Sequence, residues 1–177
     1  MAKNIILGAT ASIAIYKACE IIRRLQDEKF TVTVVMTEEA KGFIRPTLFM
    51  HLTGKPVYHR LFEEPGNWQA EHIALADKAD LVLIAPATAN IIAKIAAGIC
   101  DDLLTCVISA TKAPVLICPA MNENMYANKI LQANIKKLKS LDYGFVEPVK
   151  GRLACNKIGI GHLAEVANII KAVKKVL

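Results

Sequence analysis

The chain has no apolar run long enough to cross a membrane, no C-x-x-C pair, no low-complexity tract and no G-x-G-x-x-G fingerprint. The first absence excludes a helical membrane span, and the opening apolar run is too short for a signal peptide, so the expected location is the cytoplasm. Five cysteines, Cys19, Cys100, Cys106, Cys118 and Cys155, form an odd set without metal-ligand spacing. That pattern argues against a disulfide framework and against structural zinc, and no metal is expected. Aromatic residues make up 6% of the chain, and the basic residues do not interleave with them. The main basic groups are Lys136, Lys137 and Lys139, and Lys171, Lys174 and Lys175, all on expected helix surfaces. The formal charge of +6 therefore reads as solvated helix faces that lend some steering to an anionic ligand, and nucleic acid is not an expected partner.

What is present is a strict alternation. Apolar runs at 4–8, 31–36, 81–85, 114–118 and 144–147 read as strands buried on both faces. Helical patterns lie between them at 12–27, 88–98, 102–111, 124–140 and 163–176. At 177 residues this predicts one α/β domain over 1–177, a Rossmann-like three-layer sandwich with a mostly parallel sheet. Two stretches break the pattern. Residues 41–70, interrupted by Gly42, Pro46, Gly54, Pro56, Pro65 and Gly66, are expected to cover a site or meet another subunit. Residues 150–161 read as a glycine-bearing loop and a candidate lid.

Three strand-to-helix turns carry the chemistry. Pro119-Ala120-Met121-Asn122-Glu123-Asn124-Met125 follows an apolar strand and places one short amide at its tip, where a parallel sheet exposes ligand-reading groups. By itself Asn122 could equally serve as a helix cap, with Met121 and Met125 as packing. Leu81 to Asn90 runs a second strand through Pro86 into Thr88, Ala89 and Asn90, and Ile5 to Ala14 runs a third into Thr10, Ala11 and Ser12. Unpaired amides at a helix start favour an anion, so Ser12 and Thr88 read as a phosphate cradle, brought together if the strand order reverses beside the first strand. Lacking the dinucleotide fingerprint, these turns suit a mononucleotide.

With Thr10-Ala11-Ser12-Ile13-Ala14-Ile15-Tyr16-Lys17, His72-Ile73-Ala74-Leu75, Pro86 to Asn90, Asp101 to Thr105, Pro119 to Met125 and Arg152-Leu153-Ala154-Cys155 in that order, the chain resembles the homo-oligomeric flavin-containing cysteine decarboxylases over nearly its whole length. The resemblance is strongest to the branch that serves coenzyme A biosynthesis. It implies FMN as cofactor and decarboxylation of 4′-phosphopantothenoylcysteine to 4′-phosphopantetheine, by transient thiol oxidation to a thioaldehyde, loss of CO2 and re-reduction. It also implies a trimer or dodecamer with flavin at the subunit interface.

By the same resemblance His72 is the active-site base, Asn122 grips the substrate carboxylate and Cys155 protonates the enethiol intermediate. Met125, Arg152 and Ala154 contact substrate, and Ala11, Ser12, Ile13, Thr37, Thr88, Ala89, Asn90 and Ile91 hold the cofactor. The other four cysteines lie in apolar periodic stretches and read as packing. Glu123 and Asn124 read as solvent-facing residues of a helix start. Departures from the family pattern are Ala11 for glycine, Ile91 for threonine, and Asn156 and Lys157 after the cysteine; His162 stands where relatives often carry arginine. Competing readings are oxidative decarboxylation of a peptidyl cysteine, disfavoured by Cys155, flavin prenyltransfer, disfavoured by the Asn122 block, and a non-catalytic FMN-binding regulator, whose usual acidic tail is absent. Stand-alone decarboxylase and half of a bifunctional decarboxylase-synthetase are both compatible with the sequence.

Overall fold

The computed structural model describes residues 2–61, 71–152 and 158–177. Mainly apolar segments form the centre of a parallel sheet: β1 (Asn4–Ala9), β2 (Thr31–Met36), β4 (Leu81–Ala87) and β5 (Val115–Pro119). The two-residue strands β3 (Val57–Tyr58) and β6 (Gly144–Phe145) close its edges, giving the order β3-β2-β1-β4-β5-β6. The order reverses between β1 and β4, which pair in parallel from Ile5↔Leu81 to Gly8↔Ile84.

Helices cover both faces. On one side α1 (Ala18–Asp27), α2 (Pro46–Thr53) and α8 (Val166–Val176) bury Ile21, Ile22, Leu25, Phe49, Ile169 and Val173 against Ile5, Leu7, Leu81 and Leu83. On the other, α3 (Glu71–Asp77), α4 (Ala89–Ala97), α5 (Leu103–Ala110) and α7 (Lys129–Lys139) bury Leu75, Ile92, Leu104 and Ile135 against Ile6, Val82, Ile84 and Ile117. The sheet therefore has no solvent face at its centre, which is why β1 and β4 read as continuous apolar runs.

Local chemistry sets the helix ends. Thr88 caps α4, its Oγ1 accepting from Ile91 N at 3.3 Å, and Gly98 ends it at φ 70°. Asp102 and Thr105 form a reciprocal capping box on α5, and the Lys94 ammonium reaches back to Asp101 and Asp102 at 2.7 and 3.0 Å. The Asp101 carboxylate beside it holds Lys94 above its ordinary range. The Asp101 to Thr105 block is thus accounted for by capping and by fastening α4 to α5.

Three expectations change. The helix expected over 124–140 is two: α6 (Glu123–Tyr126) stops, and Asn128 restarts the chain as α7 by accepting from Ile130 N at 2.9 Å. A short polar side chain that satisfies its own backbone competes with helix continuation. The 41–70 stretch is not merely irregular, since Phe49 of α2 is fully buried in the core; its residues 62–70 lie outside the described residues. Most importantly, the expected glycine-bearing loop contains an antiparallel hairpin, β7 (Val149–Arg152) paired with β8 (Ile158–His162).

Two contacts hold the turns in register. The Thr10 hydroxyl, 1% exposed, donates to Pro86 O at 2.7 Å and accepts from Thr88 N at 3.1 Å. The hairpin docks through Met121 N, which donates to Gly161 O at 2.9 Å. A Cβ on Gly161 would sit 2.2 Å from Met121 O, and φ is +147°, so only glycine allows this approach.

Thr10→Val is expected to leave the Pro86 carbonyl without its buried donor and to cost about 1–3 kcal/mol. That corresponds to a fall of about 2–12 °C in thermal midpoint, with Thr10→Ser keeping most of the stability. Gly161→Ala should cost about 2 kcal/mol or more. Hydrogen exchange checks it, through loss of protection at the Met121 amide while β1 and β4 amides keep theirs.

Candidate active site

A cavity of about 590 Å³ opens at the carboxyl ends of β1, β4 and β5. Its floor is made by the turn 11–14, by Thr88 and Ala89, and by Ala120 to Asn122; Met125 and the hairpin residues Arg152, Gly161 and His162 form its wall. The volume lies within the range of small-molecule and cofactor sites. Its position is the crevice that a strand-order reversal creates in an open parallel sheet.

Each polar side chain is placed by backbone chemistry. Ser12 caps a 3-10 turn over Ile13–Lys17, accepting from Ala14 N at 3.4 Å, and Thr88 caps α4. A capping hydroxyl accepts from the helix, and its own proton remains to donate outward. Thr10 beneath them ties the two turns together, so both hydroxyls serve one crevice. Ala11, Ala89 and Ala120 keep the floor low, which permits a flat ligand to lie close to backbone amides.

Asn122 caps α6 and also lines the cavity, its Oδ1 accepting from Asn124 N at 2.9 Å. With the oxygen engaged in the cap, the chemistry that distinguishes this side chain at the cavity is the donor end, suited to an anion. Behind it Tyr126 donates to Glu147 Oε2 at 2.6 Å; burial, reinforced by that carboxylate, pushes the phenol well above its ordinary range, so it anchors α6 as a donor. Glu123 is exposed as expected, yet it also touches β8: its Oε1 accepts from Ile160 N at 3.4 Å.

Among the described lining residues there is no carboxylate, while Arg152 and His162 are basic. The described lining therefore brings no negative charge of its own, and helix-start amides favour an anion there.

Of the sequence-predicted residues, the cavity brings together Ala11, Ser12, Ile13, Thr88, Ala89, Asn122, Met125 and Arg152. It does not bring in His72, half-buried on the first turn of α3, nor Thr37, buried beyond β2 with its amide on Ala9 O at 3.1 Å. Asn90 is exposed on α4 outside the lining, and the Ile91 side chain is 1% exposed in the core, leaving only its capped amide near the turn. Cys155 and Ala154 lie outside the described residues. The expectation that the other cysteines are packed holds for Cys118, whose thiol burial pushes far up, but Cys100 is exposed.

Sequence reasoning missed Thr10, Gly161 and the bond between Lys17 Nζ and His162 Nε2 at 3.0 Å. The period-two pattern Ile158-Gly159-Ile160-Gly161-His162 was the available signal for a strand that aims His162 inward.

Comparison with known proteins adds to this geometry. The chain is 40% identical over its full length, and over the full length of the other protein, to a probable phosphopantothenoylcysteine decarboxylase of Streptococcus mutans. It is 43% identical over 98% of its length to the coenzyme A biosynthesis bifunctional protein of Bacillus subtilis, covering 43% of that protein. The chain thus spans less than half the length of the bifunctional relatives it matches. Among solved structures it is similar to a cysteine-to-serine mutant of PPC decarboxylase complexed with pantothenoylaminoethenethiol, with a TM-score of 0.87 and 30% identity over 99% and 98% of the two chains. It is also similar to the FMN-dependent cysteine decarboxylase SpaF, with a TM-score of 0.85 and 28% identity over 96% and 94%. The family model described as Flavoprotein matches residues 1–177, and the chain belongs to that family.

Proposed function

We propose that this chain is an FMN-dependent phosphopantothenoylcysteine decarboxylase, forming one flavoprotein domain over 1–177 and acting in the cytoplasm. The observation that carries the proposal is the crevice, free of carboxylates among the described residues, in which the capped turns at Ser12 and Thr88 face Asn122 and Met125. The capping hydroxyls, the α4 amides and the low alanine floor suit the phosphate and the flat ring of FMN. When bound, FMN would supply the two-electron oxidation of the substrate thiol and the later return of a hydride.

The chain's own residues bind, orient and move protons. Asn122 holds the substrate carboxylate through an amide, without the full positive charge that would favour keeping CO2 attached. Arg152, and by resemblance Ala154, contact the substrate. His72 takes up the proton released on thiol oxidation, and the Cys155 thiol protonates the enethiol after CO2 has gone.

His72 stands outside its own chain's cavity, which fits a site completed by a second copy. Apolar side chains lie open on both surfaces such a contact would join. Ile13, Tyr16 and Met125 at the cavity mouth are 58%, 59% and 50% exposed, and Ile73 beside His72 is 40% exposed. The assembly proposed is a homotrimer or the dodecamer built from it. A second reading, oxidative decarboxylation of a peptidyl cysteine, shares every step up to CO2 loss and is disfavoured by Cys155.

Purified protein should carry a flavin absorption band. Asn122→Ala and His72→Ala should each lower CO2 release by about 10²-fold or more, measured under saturating FMN. Cys155→Ser should still release CO2 but accumulate an oxidised enethiol two hydrogens lighter than 4′-phosphopantetheine, because a serine hydroxyl is too weak an acid to replace the thiol. Normal product from Cys155→Ser at the unmutated rate would remove Cys155 from the reaction. Light scattering should report three copies or a multiple, and a monomer retaining FMN would overturn the shared site.

A further inference from the structure

The Lys17–His162 contact has no role in the chemistry above. Lys17 ends the 3-10 turn that Ser12 begins, and its ammonium lies 3.0 Å from His162 Nε2 on the cavity wall. For the ammonium to donate, that ring nitrogen must be the acceptor, leaving Nδ1 as the ring's N–H. No carboxylate pairs with either residue among the described residues, whereas Lys41, Lys94, Lys139 and Lys174 all have one. An ammonium and an imidazole held together at the edge of a carboxylate-free cavity are complementary to an anion that arrives with the ligand.

The pair is held in place rather than loosely adjacent. The His162 ring lies against the Gly151 backbone, where an added Cβ would meet Cγ at 3.0 Å. The preceding residue, Gly161, is fastened to Met121. The position also differs from the Ser12 end: five residues of 3-10 helix separate the two by about 10 Å along the axis. One crevice therefore offers two anion positions, one at the capped turns and one at Lys17 and His162. The substrate of the proposed reaction carries a phosphate monoester in addition to its carboxylate.

We propose that Lys17 and His162 form the subsite that binds the substrate's phosphate monoester and sets the preference for the phosphorylated over the unphosphorylated cysteine amide. This rests on the decarboxylase reading given above. Lys17 supplies ammonium donors, and His162 supplies a ring N–H. The ammonium turns from the imidazole to the phosphate as the ligand seats.

The test compares 4′-phosphopantothenoylcysteine with pantothenoylcysteine as substrates for the unmutated enzyme, Lys17→Met, His162→Ala and His162→Arg. Binding of 4′-phosphopantetheine and pantetheine is measured in parallel by calorimetry, and retention of FMN and riboflavin by dialysis. Removing a charge-assisted contact should lower kcat/KM for the phosphorylated substrate about 10–100-fold more than for the unphosphorylated one in Lys17→Met and His162→Ala. His162→Arg, which keeps a donor to phosphate, should restore most of the preference, a rescue that a purely structural role would not give. The calorimetric preference for 4′-phosphopantetheine should fall by the same factor. Equal losses on both substrates would overturn the proposal. So would a selective loss of FMN relative to riboflavin, which would assign the pair to the cofactor's phosphate. If the unmutated protein decarboxylates neither compound, the reaction reading fails, and the calorimetry still decides the subsite: no preference for the phosphorylated ligand overturns it.

Discussion

The Thr10 hydroxyl is the interaction on which the rest of the site depends. It is buried at the point where the strand order reverses, and it serves two backbone groups of the β4 turn at once, the Pro86 carbonyl and the Thr88 amide. A parallel sheet leaves a crevice at such a reversal for topological reasons alone, but topology does not fix the offset of the two turns that border it. The hydroxyl fixes it. With that offset set, the caps at Ser12 and Thr88 follow from ordinary helix-start chemistry, and their free hydroxyl protons share one space.

Asn122 shows the same economy on the third turn. Capping and ligand binding are often weighed as alternatives for such a residue, yet here one side chain caps a helix with its oxygen and still lines the cavity. The cap holds the amide's rotation, so its donor end points in a defined direction before any ligand arrives. Preorganisation of this kind is what makes a single neutral amide effective against a charged group.

Much of this was legible in the sequence, for reasons that can be stated residue by residue. Strands buried on both faces write themselves as unbroken apolar runs, so Leu81 to Ala85 and Val115 to Cys118 could be read directly. The reversal of strand order was legible only as a condition, because pairing between Ile5 and Leu81 is a long-range choice with no local trace. The hairpin escaped because Gly151, Gly159 and Gly161 resemble loop residues, while their function is to admit His162, Glu123 and the Met121 backbone at close range. Close approach between distant segments leaves glycine in a sequence without saying what approaches. For the same reason nothing in the sequence paired Lys17 with His162, a partner 145 positions away. The placement of His72 apart from the crevice could not be read from a motif, since a motif specifies residue types and leaves open which copy of the chain they face.

The pairing of β7 with β8 has a consequence for sequence variation. The ladder runs from Val149↔His162 to Arg152↔Ile158, so its last rung brackets, in sequence, the stretch that carries Asn156 and Lys157. Among the described residues, Gly161 and His162 are seated below that rung by the ladder itself, the Gly161 contact with Met121 and the Ile160 contact with Glu123. A change at position 156 or 157 is therefore expected to leave those contacts in place. The hairpin insulates its own register from such changes, because that register is written in the rungs and in Gly161.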